Sequence, residues 1–228
     1  FYCSGEYHEN MYERTTDEFA LNVLEAYSPK LPQNYQSSEI IVLANMSPSN
    51  QLDVLSQCSS PQFVVADTMD IWIQMEGKAL DELLAKIDML VINESEAKMF
   101  TQTGNLVQAG RLLLQTGPQY TIIKTGEHGA LLFGPDEGFF RVGAYPLASV
   151  EDPTGAGDSF LGGLAGYLAQ KNQRVDFPAL KHALSPATIM ASFTCEAFSV
   201  ERLAEIQRAD IDERLKAYAG YTHLEVKI

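Results

Sequence analysis

Four short apolar runs, each followed by a helical pattern, limit the possible folds of this chain more than any other feature. The apolar runs cover residues 39–44, 62–67, 89–93 and 120–124, and the helical patterns lie near 50–57, 76–87, 94–101 and 105–116. Strands that are apolar along their whole length are buried on both faces, and strands that alternate with helices pair in parallel. The sequence therefore predicts an α/β protein with three layers, α/β/α, around a mostly parallel central sheet.

The two ends of the chain follow other patterns. After residue 124 the spacing shortens, and two short strands at 130–133 and 139–142 are joined by a hairpin-like turn. Further helices are predicted at 157–171, 178–192 and 210–219. Residues 1–16 are aromatic and polar, which suits an exposed strand or flap. The spacing of Thr15 and Glu18 fits a helix opening with a capping box, but it also fits a continuing strand.

Composition excludes some partners and favours a compartment. The 228 residues, 46% of them hydrophobic, are enough for one large α/β domain. A net charge of -14 and a pI of about 4.6 argue against nucleic acid or an anionic membrane as the main partner. Three scattered cysteines indicate a reducing compartment. No signal-like start and no bilayer-spanning apolar run are seen, so the cytoplasm is the expected location.

A glycine-rich stretch, Asp-Pro-Thr-Gly-Ala-Gly-Asp at 152–158, stands between a predicted strand and a helix of small and apolar residues. Glycines at 155 and 157 let the backbone approach a ligand without a Cβ in the way. The first turn of the helix offers unpaired N–H groups and the positive end of a dipole, which suits a phosphate. Asp158 lies in that turn, where it could accept a proton. A plain loop with a dipole partner fits the same pattern.

This stretch, followed by Ser159-Phe160 and the small-residue helix, closely resembles the signature of the PfkB (ribokinase-like) carbohydrate kinases. The resemblance implies a ribokinase-like fold and ATP-dependent transfer of the γ-phosphate to a hydroxyl of a small sugar, nucleoside or polyol. It also implies that Asp158 is the catalytic base and that the amides of Gly155, Ala156 and Gly157 form the anion hole. A non-catalytic regulator that binds a nucleotide or sugar on the same fold is the alternative.

A second motif pairs Asn93, at a strand end, with Glu96, at a helix start. An Asn three residues before a Glu is a typical capping pair. An amide and a carboxylate at the ligand edge of a sheet also suit Mg²⁺, which is often held through water molecules. The PfkB family has an N-x-x-E motif at this place, so the resemblance implies that both residues serve magnesium and the nucleotide phosphates. The two interpretations are compatible.

Further ligand contacts are implied by the resemblance. The family has a K/R-x-G-x-x-G turn, which residues 124–129 match, so Thr125 and Gly126 are expected to contact ATP. Ala191, in a later helix, is a candidate for the adenine pocket. Asp152 and Thr154 match the positions at which some relatives bind a monovalent cation, and whether this chain uses K⁺ is open.

Ligands of parallel sheets collect at the carboxyl ends of the strands. This rule adds residues to the candidate site at one edge of the sheet, on the same side as the glycine turn: Asn45, Asp67, Asn93 and Thr125. Lys124 could face a phosphate, although a lysine at a strand end is more often only solvated. His128 is expected at the surface, and Trp72 is expected to be a core residue.

The acceptor side is the incomplete part of the resemblance. Residues 1–38 correspond to a partial lid and 39–228 to the nucleotide-binding and catalytic domain, whereas the family's first strand, with its substrate-binding Asp, has no counterpart. The N-terminal part of the family fold is therefore expected to be missing, and the acceptor stays open. Candidate sugar contacts in the lid are Glu6, His8, Asn10 and Arg14, although a solvated flap fits equally. Family members often pair through their lids, so a homodimer through this segment is compatible with the sequence.

Overall fold

The computed structural model describes residues 2–9, 11, 14–171 and 174–222. It consists of two compact units. The first comprises Phe1–Thr125 and Leu131–Phe140, and the second comprises Gly126–Ala130 and Arg141–Ile228. The division into a lid at 1–38 and a domain at 39–228 stays a prediction.

The first unit begins with an antiparallel strand pair, β1 (Tyr2–Tyr7) and β2 (Arg14–Ala20). Of the two structures that fit the sequence after Thr15, the continuing strand is the one observed. A 3₁₀ helix follows at Asn22–Ala26. The small antiparallel pair is consistent with the predicted partial lid.

A six-stranded sheet forms the centre of the fold. Its strands are β3 (Ile40–Leu43), β4 (Phe63–Asp67), β5 (Met89–Asn93), β6 (Tyr120–Lys124), β7 (Ala130–Phe133) and β8 (Phe139–Val142), and they neighbour one another in that order. The first four strands pair in parallel. The intervening helices are α1 (Pro48–Ser56), α2 (Asp70–Met75), α3 (Gly77–Leu84), α4 (Glu94–Thr101) and α5 (Leu106–Leu114). The predicted α/β fold with a mostly parallel central sheet is confirmed.

The central strands β4, β5 and β6 are buried on both faces, which explains their continuous apolar runs. On one face, strand residues such as Val64 and Leu90 pack into a hydrophobic core with α3 residues such as Leu83. Side chains alternate between the faces, and Val65 and Met89 on the other face are also fully buried. The pairing register places the strand-end residues Asp67, Asn93 and Lys124 on this second face. Three polar side chains therefore share one face at one edge of the sheet.

The second unit is helical. Its helices are α6 (Ala156–Lys171), α7 (Phe177–Thr194), α8 (Glu201–Glu205) and α9 (Arg208–Thr222). Helices α6 and α7 approach closely at Gly163, where an added Cβ would lie 2.9 Å from Met190 Cγ and 3.0 Å from Ala187 Cα. From α9, the Arg214 guanidinium lies 3.6 Å from the centre of the Phe193 ring. Within the described residues, no helix is both long and apolar enough to cross a bilayer.

Candidate active site

Helix α4 starts with the predicted cap. The side-chain oxygen of Asn93 accepts a hydrogen bond from the Glu96 amide at 2.8 Å, and Glu96 Oε2 accepts one from the Asn93 amide at 2.9 Å. Ser95 also donates its hydroxyl to Asn93 Oδ1 at 2.8 Å. The start of α4 is thereby closed by its own side chains.

Glu96 is a buried carboxyl group with an unusual pKa. Burial raises the pKa from its ordinary value of 4.5 to about 7. The hydrogen bond from the Asn93 amide and the positive charge of Lys124 act in the opposite direction, whereas Asp67 and Asp70 reinforce the rise. The side chain is thus held where its negative charge is poorly solvated, and a nearby cation would stabilise the ionised form.

Lys124 and Asp67 form a buried ion pair beside Glu96. Lys124 Nζ donates to Asp67 Oδ2 at 2.9 Å, and the two side chains are only 17% and 6% exposed. The expectation that Lys124 is merely solvated is therefore wrong. The signal available in the sequence was positional: each of these residues ends a buried strand, and each falls on the same face of the sheet once the strands are in register.

The residues at the start of α4 fit a magnesium ion held mainly through water. Mg²⁺ takes oxygen ligands and usually combines one or two carboxylates with waters and substrate phosphates. Glu96 offers a buried carboxyl group whose pKa is raised by burial, so a bound cation would stabilise its ionised form. In the described part of the chain no three His, Cys, Asp or Glu side chains cluster as metal ligands. The described residues therefore do not form a site in which protein side chains supply all the metal ligands.

At the ends of β3 and β4 the first unit contains a cavity of about 320 Å³, which includes Asn45 and Trp72 in its wall. The Trp72 indole N–H donates to Asn45 Oδ1 at 2.9 Å. Trp72 is 5% exposed, so it is buried as expected, but it also forms part of this cavity. The sequence pattern predicted that Trp72 is buried, but it did not predict that Trp72 lines a cavity.

In the second unit the glycine turn opens α6. Gly155 has φ +83°, a left-handed conformation that side chains rarely adopt, and α6 begins at the next residue. The Ala156 amide donates to the Pro153 carbonyl at 3.1 Å, and the Ser159 amide donates to the Gly155 carbonyl at 2.9 Å. Between them, the amides of Gly157 and Asp158 have no acceptor among the described residues. This helix start is therefore open to an anion.

Asp158 lies in the first turn of α6 with an exposed side chain. No hydrogen bond to its carboxylate is made by the described residues. A carboxylate in this position is accessible to a hydroxyl group from solution. The arrangement is compatible with a base, whereas a carboxylate buried in the core would not have been.

The other predicted site residues of this unit lie around the turn or on α7. The Thr154 amide donates to Asp152 Oδ1 at 2.9 Å. Burial acts to raise the pKa of Asp152, but hydrogen bonds from Thr154 and from the Ser199 amide outweigh it, and the pKa lies below its usual range. Ala191 is half-buried on α7. Gly126 has φ +55°, as its predicted turn requires.

The remaining residues singled out from the sequence lie after β6 and in or next to the strand pair of β1 and β2. Thr125, at the end of β6, is 6% exposed. His128 is exposed, as expected. In the strand pair, His8 Nε2 lies 2.9 Å from Thr15 Oγ1, and Glu6 is exposed. The predicted contacts at Asn10 and at the Arg14 side chain lie outside what the structure describes.

Comparison with known proteins identifies a family. Residues 10–204 match the family described as pfkB family carbohydrate kinase. A cytidine kinase from Thermococcus kodakarensis is 31% identical over 143 residues, which cover 60% of this chain and 50% of that protein. A bifunctional ribokinase/ribose-5-phosphate isomerase A from Fructilactobacillus sanfranciscensis is 31% identical over 122 residues, 51% of this chain and 21% of that protein. The chain thus spans half or less of the length of these curated relatives.

Solved structures share the fold at lower identity. A nucleoside kinase from Methanocaldococcus jannaschii has a TM-score of 0.67 at 20% identity, covering 90% of this chain and 64% of that one. Aminoimidazole riboside kinase from Salmonella enterica has a TM-score of 0.64 at 22% identity, covering 78% and 62%. A putative ribokinase II from E. coli, in complex with ATP and Mg²⁺, has a TM-score of 0.62 at 18% identity, covering 78% and 59%. These similarities show a ribokinase-like fold.

Proposed function

This chain belongs to the pfkB family of carbohydrate kinases, and from that premise we propose that it transfers the γ-phosphoryl group of ATP to a hydroxyl of a small sugar, nucleoside or polyol. Relatives named as cytidine kinase and nucleoside kinase support a phosphotransferase. The observation that carries the proposal is the start of α6, where a left-handed glycine is followed by amides that have no acceptor in the described part of the chain, beside an exposed carboxylate.

Asp158 is proposed as the general base. It accepts the proton of the acceptor hydroxyl as that oxygen attacks the γ-phosphorus in line, and the bond to the bridging oxygen of ADP breaks. Negative charge develops on the oxygens of the transferred group, and backbone amides directed at it lower the barrier. Gly155 and Gly157 supply such amides. Ala156 contributes its own only by sharing it with the Pro153 carbonyl, to which it already donates.

Asn93 and Glu96 are proposed to hold Mg²⁺, together with water and the phosphates of ATP. When bound, the ion neutralises part of the charge on the phosphate oxygens. Lys124 keeps a positive charge beside Glu96, which favours its ionised form, whereas Asp67, the partner of Lys124, acts in the opposite direction. Ionised Glu96 remains fixed by the Asn93 amide, so the carboxylate does not have to reorient on binding.

The remaining assignments complete the proposal. Thr125 and Gly126 are proposed to contact ATP, with Ala191 beside the adenine. Asp152 and Thr154 are the candidates for a K⁺ site, although the hydrogen bond between them already satisfies that turn without an ion. A homodimer through β1 and β2 and a cytoplasmic location stay predictions.

The test is Asp158→Asn, measured as Mg²⁺-dependent ATP turnover over a panel of sugars and nucleosides. We expect turnover to fall by about 10²–10⁴-fold with nucleotide binding retained, because a single base commonly supplies that factor. Asp212→Asn, which removes the same charge from an exposed residue of α9, is the control. Wild-type turnover by Asp158→Asn would contradict the role of Asp158. ATP binding by the wild type without transfer to any acceptor would instead favour a non-catalytic regulator.

A further inference from the structure

The cavity at the ends of β3 and β4 is a site that the proposed roles of the catalytic residues leave unexplained. It lies wholly in the first unit, between the strand ends, the start of α1 and the 3₁₀ helix that follows β2. Its volume of about 320 Å³ is at the lower end of the range for small-molecule sites. A cavity at the carboxyl ends of parallel strands is where ligands of such sheets bind.

The cavity wall is apolar on one part and acidic on another. Its apolar side chains are Leu21, Leu24, Met46, Met69 and Trp72, and its uncharged polar ones are Asn45, Ser47, Ser49 and Asn50. Glu25 and Glu76 complete it, and among the described lining residues there is no lysine or arginine. A phosphorylated ligand would meet two carboxylates and no cation, in a chain with net charge -14.

The start of helix α1 lies in the cavity wall, and Glu76 occupies the hydrogen-bond donors that would otherwise attract a phosphate. Ser49 of α1 donates both its amide, at 3.2 Å, and its hydroxyl, at 2.7 Å, to Glu76 Oε2. The Asn50 amide donates to Ser47 Oγ at 3.2 Å. Donors at a helix start normally favour anions. Here a carboxylate of the chain itself takes them.

The position of the cavity along the sheet suits an acceptor. It lies at β3 and β4, whereas the proposed metal residue Asn93 and Lys124 end β5 and β6. Neighbouring strands are about 4.8 Å apart, so the two pairs of strand ends are separated by roughly 10 Å along one edge. That separation leaves room for an acceptor beside, and not on top of, the proposed phosphate-binding residues.

We propose that this cavity binds the acceptor, that the acceptor is an uncharged nucleoside, and that Glu76 excludes phosphorylated molecules. A nucleobase offers a flat, largely apolar face to Trp72 and the neighbouring methionines, whereas a free pentose carries an oxygen on every carbon. The ribose hydroxyls can donate to the side-chain oxygens of Asn45 and Ser49, which still have acceptor capacity, and can pair with the Asn50 side chain. The inference rests on the proposed kinase function and adds the substrate class to it.

Trp72 is the single tryptophan of the chain, so its fluorescence reports on the cavity. The full chain is titrated with cytidine, cytidine 5′-monophosphate and ribose. We expect cytidine to change the emission of Trp72, and the monophosphate and ribose each to bind at least about 10-fold more weakly. Equal binding of cytidine and its monophosphate, or tighter binding of ribose, would overturn the proposal.

Glu76→Gln removes the charge and keeps an oxygen that can accept from Ser49. It should narrow the preference for cytidine over its monophosphate by about 5-fold or more. Glu82→Gln, in the α3 helix that begins directly after Glu76 but paired with Lys86 in solvent, should leave the preference unchanged. Glu25→Gln, on the exposed 3₁₀ helix, tests the same repulsion without touching α1. An unchanged preference in both cavity variants would show that these carboxylates do not select the ligand.

The titration needs no turnover, so it separates two failures. Cytidine binding at Trp72 without phosphoryl transfer keeps the cavity assignment and contradicts the kinase proposal. Transfer to cytidine without any change at Trp72 keeps the kinase proposal and overturns the cavity assignment.

Discussion

Helices α4 and α6 both start at residues proposed to serve the phosphates, yet their starts are built in opposite ways. The start of α4 is closed, because Asn93 and Glu96 satisfy each other's amides. The start of α6 is open, because Gly155 has no side chain to cap it and the amides of Gly157 and Asp158 find no acceptor among the described residues. A closed start with a buried carboxylate suits a cation, and an open start with unpaired amides suits an anion.

The two constructions carry different free-energy costs. At α4 the cost is electrostatic, since a carboxyl group is buried and its pKa rises to about 7. At α6 the cost is conformational, since Gly155 is held at φ +83°. Costs of this kind are typical of functional sites, where local stability is lower than the chain could achieve. Three substitutions test whether the comparison holds.

The largest expected effect follows from Lys124→Met. It leaves Asp67 buried without its 2.9 Å partner, and removing one member of a buried ion pair commonly destabilises by about 3–5 kcal/mol. It also removes a charge that lowers the pKa of Glu96, so that pKa should rise further. Urea unfolding of the variant measures the loss. The control, Lys86→Met, breaks an exposed pair with Glu82 and should change stability by about 1 kcal/mol or less. Equal losses of stability in the two variants would show that the buried pair beside α4 stabilises the fold no more than an exposed pair.

Glu96→Gln should separate stability from activity at the closed start. Folded Glu96 keeps its proton up to about pH 7, whereas the unfolded chain releases it near the ordinary value of 4.5, so the wild-type free energy of unfolding falls as pH rises between these values. The fall is about 3 kcal/mol at 1.36 kcal/mol per pKa unit. Gln retains an acceptor for the Asn93 amide and does not titrate, so the variant should lack this fall and be the more stable protein at pH 8.

The same variant should lose activity. Without a carboxylate to hold Mg²⁺, turnover is expected to fall by roughly 10–100-fold, in the range seen when metal-site support is removed. Unfolding curves from pH 5 to 8 and turnover against Mg²⁺ concentration measure the two effects. A variant that is less stable at pH 8, or equally active, would show that Glu96 is only a cap.

The smallest expected effect concerns the open start. In Gly155→Ala the new Cβ would meet Thr194 Cγ2 at an ordinary 3.7 Å, so any loss comes from the left-handed backbone alone, at about 1–2 kcal/mol. Gly162→Ala, within α6 and with nothing near its Cβ, should stabilise the helix by up to about 1 kcal/mol. Thermal unfolding of both variants checks the contrast, and a Gly155→Ala protein as stable as the wild type would mean that the turn does not need glycine.

The sequence predicted the positions of the strands better than the short helices and the side-chain contacts between strands. The strand predictions at 62–67, 89–93 and 120–124 match β4 to β6 within a residue, because a buried parallel strand is apolar throughout and needs no distant information. The short helices α2 and α8 were not predicted, since five or six residues show too little periodicity. The ion pair of Asp67 with Lys124 was missed because the two residues are 57 positions apart and meet only through the register of the sheet.

What the sequence determined by itself was local: the alternation of strands and helices, the glycine turn at 155–157, and the cap of Asn93 with Glu96. Each depends on residues a few positions apart, so its physics is contained in a short segment. The tertiary structure alone decided how those groups are charged and what they face. It buried Glu96 and raised its pKa, it paired Lys124 with Asp67, and it made the buried Trp72 part of a cavity wall. Desolvation and long-range contact depend on which distant segments pack together, and no short stretch of sequence carries that information.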